Sequence, residues 1–335
     1  NLSEEPIAMD NEEALQRLAP LADAFLLPNR GIHARYDDSV WHLAPAVHPE
    51  RRAQPQPVRR ARGYAPLPIR LPMPMSQILA VGPLLKSTFT LTRDTYAFVS
   101  QHIGDLENLE TLRHYESALA TYRHLFRLEP EHVACDLHPD YLSTRFAQQY
   151  ACDHGVPVWP IQHHEAHIAA CLADNAWPTD AGPVIGVALD GTGYGSDGAI
   201  WGGEWLVGGY DGFRRAAHLE YLPLPGGDAA IRSPWRTAVA YLHTLLGPEE
   251  MPAGVFCPSD ALLVHQQVDR KLNTPWTSSA GRLFDAVSAL LQVCQVATYE
   301  AQAAIELEQL ALQAAHPSEA AYPVTLDTAP ATWQI

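Results

Sequence analysis

No apolar run in this sequence is long enough to cross a bilayer. The longest, such as Val184 to Leu189, fall far short of the roughly 20 residues that a spanning helix needs, and the mean hydropathy is −0.13. Basic residues are scarce as well: 22 lysines and arginines stand against 38 acidic residues, for a formal charge of −16. That balance argues against nucleic acid as the main partner, because such affinity comes from cations displacing counterions on phosphates. The cysteines number only five, an odd count with no CxxC pair, and no basic stretch leads into an apolar one at the start. A reduced, cytoplasmic compartment is expected, with no membrane partner and no secretory leader. Neither a Walker A loop nor a GxGxxG opening a helix is present, so neither familiar phosphate-loop fingerprint applies.

What the chain does have is apolar material. Its 335 residues are 47% hydrophobic, enough for a sizeable core in more than one domain and too much for whole-chain disorder. Pro45, Pro49, Pro55, Pro57, Pro66, Pro68, Pro72 and Pro74, interleaved with Arg51, Arg52, Arg59, Arg60, Arg62 and Arg70, block helix interiors and central strands, so residues 45 to 74 read as a connector. Ahead of it, Asp10 precedes a helical pattern and residues 24 to 27 read as a short strand. After it, residues 78 to 82, 88 to 91 and 97 to 100 read as three strands and 108 to 127 as a helix. Strand and helix then alternate through residue 173, residues 184 to 190 and 199 to 207 flank a glycine-rich turn, and the tail from 282 to 314 is mostly helical. That alternation predicts an α/β fold.

Two constellations carry chemistry. In Gln162-His163-His164-Glu165-Ala166-His167, His163 and His167 are spaced to share one helix face, where neutral imidazoles make a bidentate metal clamp; the other reading is a structural histidine pair. Zinc-protease chemistry is disfavoured, because Ile168 stands where an H-E-x-x-H motif needs its second histidine. Cys171 continues the stripe, a position usually buried as core. In the second constellation a buried strand ends in Asp190 and enters Gly191-Thr192-Gly193-Tyr194-Gly195. Backbone N–H groups there could approach a phosphate while the carboxylate faces a cleft, or the segment is an ordinary tight hairpin. Lys86, in the turn after Gly82, sits in a second hairpin open to a phosphate. Asp136, His138 and Asp140 read as a turn and helix cap rather than a metal site. Residues 277 to 285 form a loop-to-helix transition where Asp285 either meets a ligand or complements the helix dipole. Glu300, Glu306 and Glu308 read as a solvated helix face.

The order of these motifs resembles the hydrogenase-maturation carbamoyltransferase family HypF. The residues that carry the resemblance are His163 to Cys171, Leu189-Asp190-Gly191-Thr192-Gly193-Tyr194-Gly195, Trp201-Gly202-Gly203-Glu204, Leu224-Pro225-Gly226-Gly227-Asp228 and Gly281 to Val287, with Ser100 to Leu106 and Asp136 to Tyr141 in support. The resemblance implies an actin-like ATPase (ribonuclease H-like) carbamoyltransferase domain over residues 67–335, preceded in residues 1–66 by the tail of a YrdC-like α/β domain. In that tail Asn1, Ser39, Arg60 and Arg62 would be remnants of a carbamoyl-adenylate pocket.

The implied reaction uses carbamoyl phosphate and ATP, by way of carbamoyl adenylate, to carbamoylate the C-terminal cysteine of a HypE-type acceptor protein. By the same comparison His163, His167 and Asp190 are catalytic and hold a divalent metal, iron or zinc. Lys86, Gly191, Thr192, Gly193, Asp285, Glu300 and Glu306 contact the nucleotide. Ala301 stands where the family commonly has glycine, and the family's closing Ser-Gly-Gly and Asp-Gly-Gly segments do not occur before Ile335. The chain alone is therefore expected to be a fragment without turnover. Two other readings remain open on the sequence: O-carbamoyl transfer to a small hydroxylated molecule, and a non-catalytic module that binds a nucleotide or a partner.

Overall fold

A computed structural model describes residues 6–44, 54–247, 252, 254–314, 321–328 and 333–334. The chain divides into two compact units, one made of residues 1–161 with 172–178, the other of residues 162–171 with 179–335.

The first unit opens with helix α1 (Asn11–Leu18), whose first-turn amides are capped by the Asp10 carboxylate. Residues 24–27, expected as a strand, are irregular, with the Leu26 side chain fully exposed. Strands β1 (Val40–Ala44) and β2 (Gln54–Arg59) form a separate antiparallel ribbon. A mixed sheet follows in the order β3-β5-β4-β6-β7, built from β3 (Ile69–Met75), β4 (Ile78–Ala80), β5 (Thr90–Val99), β6 (His132–Asp136) and β7 (Val158–Ile161). Its β3, β5 and β4 members pair antiparallel, whereas β4, β6 and β7 run parallel. Helix α2 (Leu109–Phe126) precedes β6, and α3 (Leu142–His154) makes the crossover to β7.

The proline-rich connector is thus partly strand. Pro55 and Pro57 lie opposite Leu43 and Trp41 in a two-stranded ribbon, where each strand is an edge, and Pro72 and Pro74 alternate along β3, the outermost strand of its sheet. A missing N–H is tolerated where it would point away from the ladder. The two strands expected at 88–91 and 97–100 merge into one, β5, which covers residues 90–99. Asp94 breaks its pattern with φ 51, where the register to β3 also shifts.

The core follows from the helix period. Asn108 caps α2 by accepting from the Thr111 amide, and His114, Tyr115, Ala118, Leu119 and Tyr122 then fall on one buried face. Phe89 meets Tyr115 and Tyr122 edge-on, with centroids 5.4 and 5.1 Å apart. The Tyr115 hydroxyl donates to the Val81 carbonyl at 2.9 Å, so a buried polar end is satisfied.

His114 in this core is 6% exposed, and burial, with the Arg35 and His102 charges, pushes its pKa down to about 4. The unfolded chain binds a proton near 6.5 that the folded chain refuses. Stability is therefore fully present above pH 6.5 and is lost as the pH falls toward 4. We expect urea denaturation at pH 7 and pH 5 to show a stability difference that His114→Gln shrinks by about 2 kcal/mol. An unchanged difference would show that His114 takes up protons freely in the folded state.

The second unit begins with α4 (His163–Asp174), whose last residues belong to the first. Its sheet contains β8 (Val184–Tyr194), β9 (Ile200–Gly209), β10 (Gly212–His218), β11 (Leu222–Pro223), β12 (Trp276–Thr277), β13 (Asp327–Thr328) and β14 (Trp333–Gln334). The path is β11-β12-β9-β10-β14-β13, and β8 pairs antiparallel with β9. Helices α5 (Asp228–Arg232), α6 (Pro234–Leu245), α7 (Pro258–Asp269), α8 (Ala280–Leu290) and α9 (Gln302–Leu312) complete it, with Ala238, Val239, Ala240, Val264, Ala286 and Ala289 buried between α6, α7 and α8. Among the described residues, no helix is long and apolar enough to cross a membrane.

Candidate metal centre and nucleotide pocket

The glycines after Asp190 do not form the turn. They continue β8, whose pairing with β9 shifts register between Leu189 and Gly193, and the tight turn lies at residues 195–198. The three residues 190–192 bulge out opposite Gly202, and a bulge of this kind re-aims a side chain next to a site. Asp190 sits on the bulge. Its Oδ1 accepts from the Gly191 amide at 2.6 Å, which leaves Oδ2 pointing at the first turns of α4.

There Oδ2 lies 3.2 Å from His163 Nε2 and 3.5 Å from His167 Nε2, while the two ring nitrogens are 3.1 Å apart. These three ligand atoms form the single group of metal-ligating side chains found among the described residues. Two imidazole nitrogens bound to one tetrahedral zinc at about 2.05 Å would be roughly 3.3 Å apart, so the triangle has the dimensions of one face of a coordination shell. Its donor set of two imidazoles and one carboxylate suits zinc or iron(II). Asp190 Oδ2 is buried without an aligned hydrogen-bond donor, as expected of an oxygen shaped for a cation. Burial pushes the Asp190 carboxyl up, but the His163 and His167 imidazoles beside it outweigh burial and hold it well below the usual carboxylate range. It is an anion at neutral pH.

His164 lies on the buried side of the cluster, completely buried, with its Nε2 3.8 Å from Asp190 Oδ2. Gln162 fixes it: the Gln162 amide oxygen accepts from the His164 backbone N–H at 2.7 Å, and its nitrogen lies 3.2 Å from both His164 Nδ1 and the Tyr194 carbonyl. A Cβ on Gly193 would come within 2.4 Å of the His164 ring, so only glycine allows the strand to lie this close. Burial pushes the His164 pKa down to about 4, and the ring stays neutral beside the centre. Cys171, expected in the core, is exposed, because the α4 face that packs on β8 turns through Ile168 instead.

The N-terminus of α8 closes on the same bulge. Ser279 caps the helix by accepting from the Arg282 amide at 3.1 Å, and its hydroxyl lies 2.8 Å from the carbonyl oxygens of both Asp190 and Gly191. One turn later Arg282 and Asp285 are both buried, with Nε 2.8 Å from Oδ2, and a Cβ on Gly191 would lie 3.7 Å from the Arg282 guanidinium. Burial raises the Asp285 carboxyl while Arg282 lowers it, the net direction being upward. Ser279 and Arg282 were not singled out from the sequence. The signal available was a serine three residues before Arg282 at a loop-to-helix junction, the ordinary mark of a cap.

The other expected residues have partners of their own. Glu306 accepts from Gln302 at 2.8 Å and, like Asp285, bears on the buried Cys294 thiol, which burial and then these two charges push up. Glu300 and Glu308 are exposed. Lys86 belongs to the first unit, its amide donating to Asp105 at 2.6 Å. In that unit Arg60 spends its N–H groups on the carbonyls of Val99, Tyr64 and Leu67. Arg62 pairs with Asp38 at 3.3 Å, and Ser39 joins the Ala61 amide to the Arg62 carbonyl. Asn1 lies outside the described residues. Asp136 and His138 are used locally, accepting from the amides of His138 and Asp140, as a turn requires.

Comparison with known proteins gives this geometry a context. A family model described as "HypF Kae1-like domain" matches residues 74–174, and one described as "Carbamoyltransferase, Kae1-like Domain, second subdomain" matches residues 186–335. Carbamoyltransferase HypF2 of Cupriavidus necator is 46% identical over 92% of this chain and 37% of its own length. Carbamoyltransferase HypF of Rhodobacter capsulatus is 42% identical over 93% of this chain and 41% of its own length. A crystal structure described as full-length HypF in the phosphate- and nucleotide-bound form superposes with a TM-score of 0.87 at 43% identity, covering all of this chain and 42% of that one. The HypF of T. kodakarensis gives the same score at 35% identity, over 97% of this chain and 42% of that one. The chain thus spans about two fifths of the length of these relatives.

Proposed function

From the premise that this chain belongs to the HypF family of carbamoyltransferases, we propose that it carries the centre at which a carbamoyl group passes from carbamoyl adenylate to an acceptor thiol. The carbamoyl adenylate derives from carbamoyl phosphate and ATP, and the acceptor is the C-terminal cysteine of a HypE-type protein serving nickel–iron hydrogenase maturation in the cytoplasm. In the transfer the acceptor thiol gives up its proton to solvent, an S–C bond forms at the carbamoyl carbon, the C–O bond to the adenylate phosphate breaks, and AMP departs with the electron pair. The observation that carries this reading is the His163–His167–Asp190 triangle, set on a glycine bulge in a member of this family.

His163, His167 and Asp190 would hold the divalent cation, zinc or iron. When bound, such a cation supplies a Lewis acid able to polarise a carbonyl or phosphoryl oxygen. The protein's own contribution is positioning. Ser279 pins the Asp190 and Gly191 carbonyls and so fixes the carboxylate's direction, and the neutral His164 adds no charge to repel a cation. Gly191, Thr192 and Gly193, in and beside the bulge, are proposed to line the path of the nucleotide phosphates, and Asp285 offers a buried acceptor for nucleotide hydroxyls with Arg282 as its counter-charge. Lys86, Glu300 and Glu306 are proposed as further nucleotide contacts. Asn1, Ser39, Arg60 and Arg62 are proposed contacts of the carbamoyl-adenylate domain, whose tail we propose to be residues 1–66.

The nucleotide half of this proposal is open to calorimetry. Asp285→Ala is expected to weaken MgATP binding at least about 10-fold, the equivalent of roughly 1.4 kcal/mol. An unchanged Kd in a folded variant would remove Asp285 from the pocket.

A further inference from the structure

Opposite the Asp190 bulge, β9 runs as Trp201-Gly202-Gly203-Glu204. The backbones are so close that a Cβ on Gly202 would lie 2.6 Å from the Asp190 carbonyl oxygen and 3.0 Å from Ser279 Cα. With β8 bulged away, the amides of Gly202 and Gly203 turn to a side chain of their own strand, donating to Glu204 Oε1 at 3.0 and 3.2 Å. Glu204 is completely buried, and a buried carboxylate persists only when it is paired and hydrogen-bonded.

Its partners are specific. Arg215 Nε donates to Oε2 at 2.6 Å, and the Ser278 hydroxyl donates to Oε1 at 2.5 Å. Arg215 is itself clamped, its guanidinium 3.9 Å from the Trp201 ring centroid and bonded to the Tyr221 hydroxyl at 2.7 Å and Asp197 Oδ2 at 3.2 Å. Ser278 is followed by Ser279, the residue that holds the Asp190 and Gly191 carbonyls. A continuous path therefore leads from Arg215 through Glu204 and Ser278 to Ser279 and the main chain under the carboxylate. A buried ion pair often adds no net stability over apolar residues of the same volume. This one ends on the two segments that frame the site.

We infer that Glu204 and Arg215 are positioning residues: they hold the β9 amides and the Ser278-Ser279 loop so that the bulge presents Asp190 to His163 and His167. The inference rests on the reading of those three residues as a cation site.

The test uses the purified chain with Co2+ as probe, read by its d–d absorption, together with hydrogen exchange of the peptide spanning residues 188–194. Ser278→Ala removes one hydroxyl from a loop. It is expected to leave the circular dichroism spectrum as in the parent, weaken Co2+ at least about 10-fold as losses around a ligand do, and speed exchange at Gly191 and Gly193. Glu204→Gln should do the same more strongly, and Arg215→Lys, which keeps the charge but loses the fork, should fall between. Should Glu204→Gln fail to fold, the other two variants decide. Folded variants with the parental Co2+ affinity and spectrum and parental exchange would overturn the inference. A parent chain that binds no Co2+ would sink the cation reading instead, and the exchange measurement would still decide whether Glu204 and Arg215 hold the bulge.

Discussion

His163→Ala and His167→Ala are each expected to lower the affinity of the chain for Zn2+ by roughly a thousandfold, while His164→Ala lowers it by about tenfold. The reason is geometric. His163 and His167 place Nε2 within 3.2 and 3.5 Å of Asp190 Oδ2, so each deletion removes a ligand. His164 Nε2 lies 3.8 Å away on the buried side and supports Gly193 instead. Loss of such a supporting contact typically costs 10- to 100-fold in metal affinity. The measurement is competition with a chromophoric chelator, with circular dichroism to show that each variant is folded. Because His164 fills the interior, its alanine variant should be the least stable of the three although it binds metal best. Equal Zn2+ affinity in the three variants and the parent would remove the histidines from the centre.

Asp190→Asn is expected to fold like the parent and, placed in a longer HypF protein that carries this chain, to lower thiol carbamoylation by about two to three orders of magnitude, the usual loss when a charge-stabilising group leaves a preorganised site. Folding should survive because the bonds that shape the bulge go to the main chain of Asp190 from Ser279, and because an Asn side-chain oxygen can still accept from the Gly191 amide. What Asn lacks is the anionic oxygen between the two imidazoles. The product is read by mass spectrometry of a cysteine-tailed acceptor supplied with carbamoyl phosphate and ATP. Transfer at the parental rate would make Asp190 a structural residue.

The helices and the His163–His167 pair were legible in the sequence for local reasons, whereas Asp190 joined that pair only through the family resemblance. An i, i+4 histidine pair must share a helix face, and Asp10 and Asn108 mark helix starts by their chemistry, as the bonds to Glu12 and Thr111 show. Ala301 is a smaller case. It stands where glycine is common in the family, and the structure places it at φ 60, just before α9, a conformation that glycine adopts without strain. What local reasoning missed depended on tertiary pairing. Pro72 and Pro74 are excluded from a central strand but not from an edge, and which strand is an edge is decided by the whole sheet. Residues 92–96 separate two expected strands, when with Asp94 at φ 51 they are a bend inside one. The bulge at residues 190–192 looked like a turn because glycine permits both. Ser279 bonds the Asp190 carbonyl from 89 residues away in sequence, so no spacing rule could join the two.

The central claim, that His163, His167 and Asp190 together hold a divalent cation, is most directly tested by anomalous diffraction. Crystals of the chain grown with Zn2+ would be measured on both sides of the zinc absorption edge. The account predicts an anomalous difference peak that appears only above the edge and lies within bonding distance of His163 Nε2, His167 Nε2 and an Asp190 carboxylate oxygen. Full-strength zinc peaks elsewhere, with none at this triangle, would contradict it.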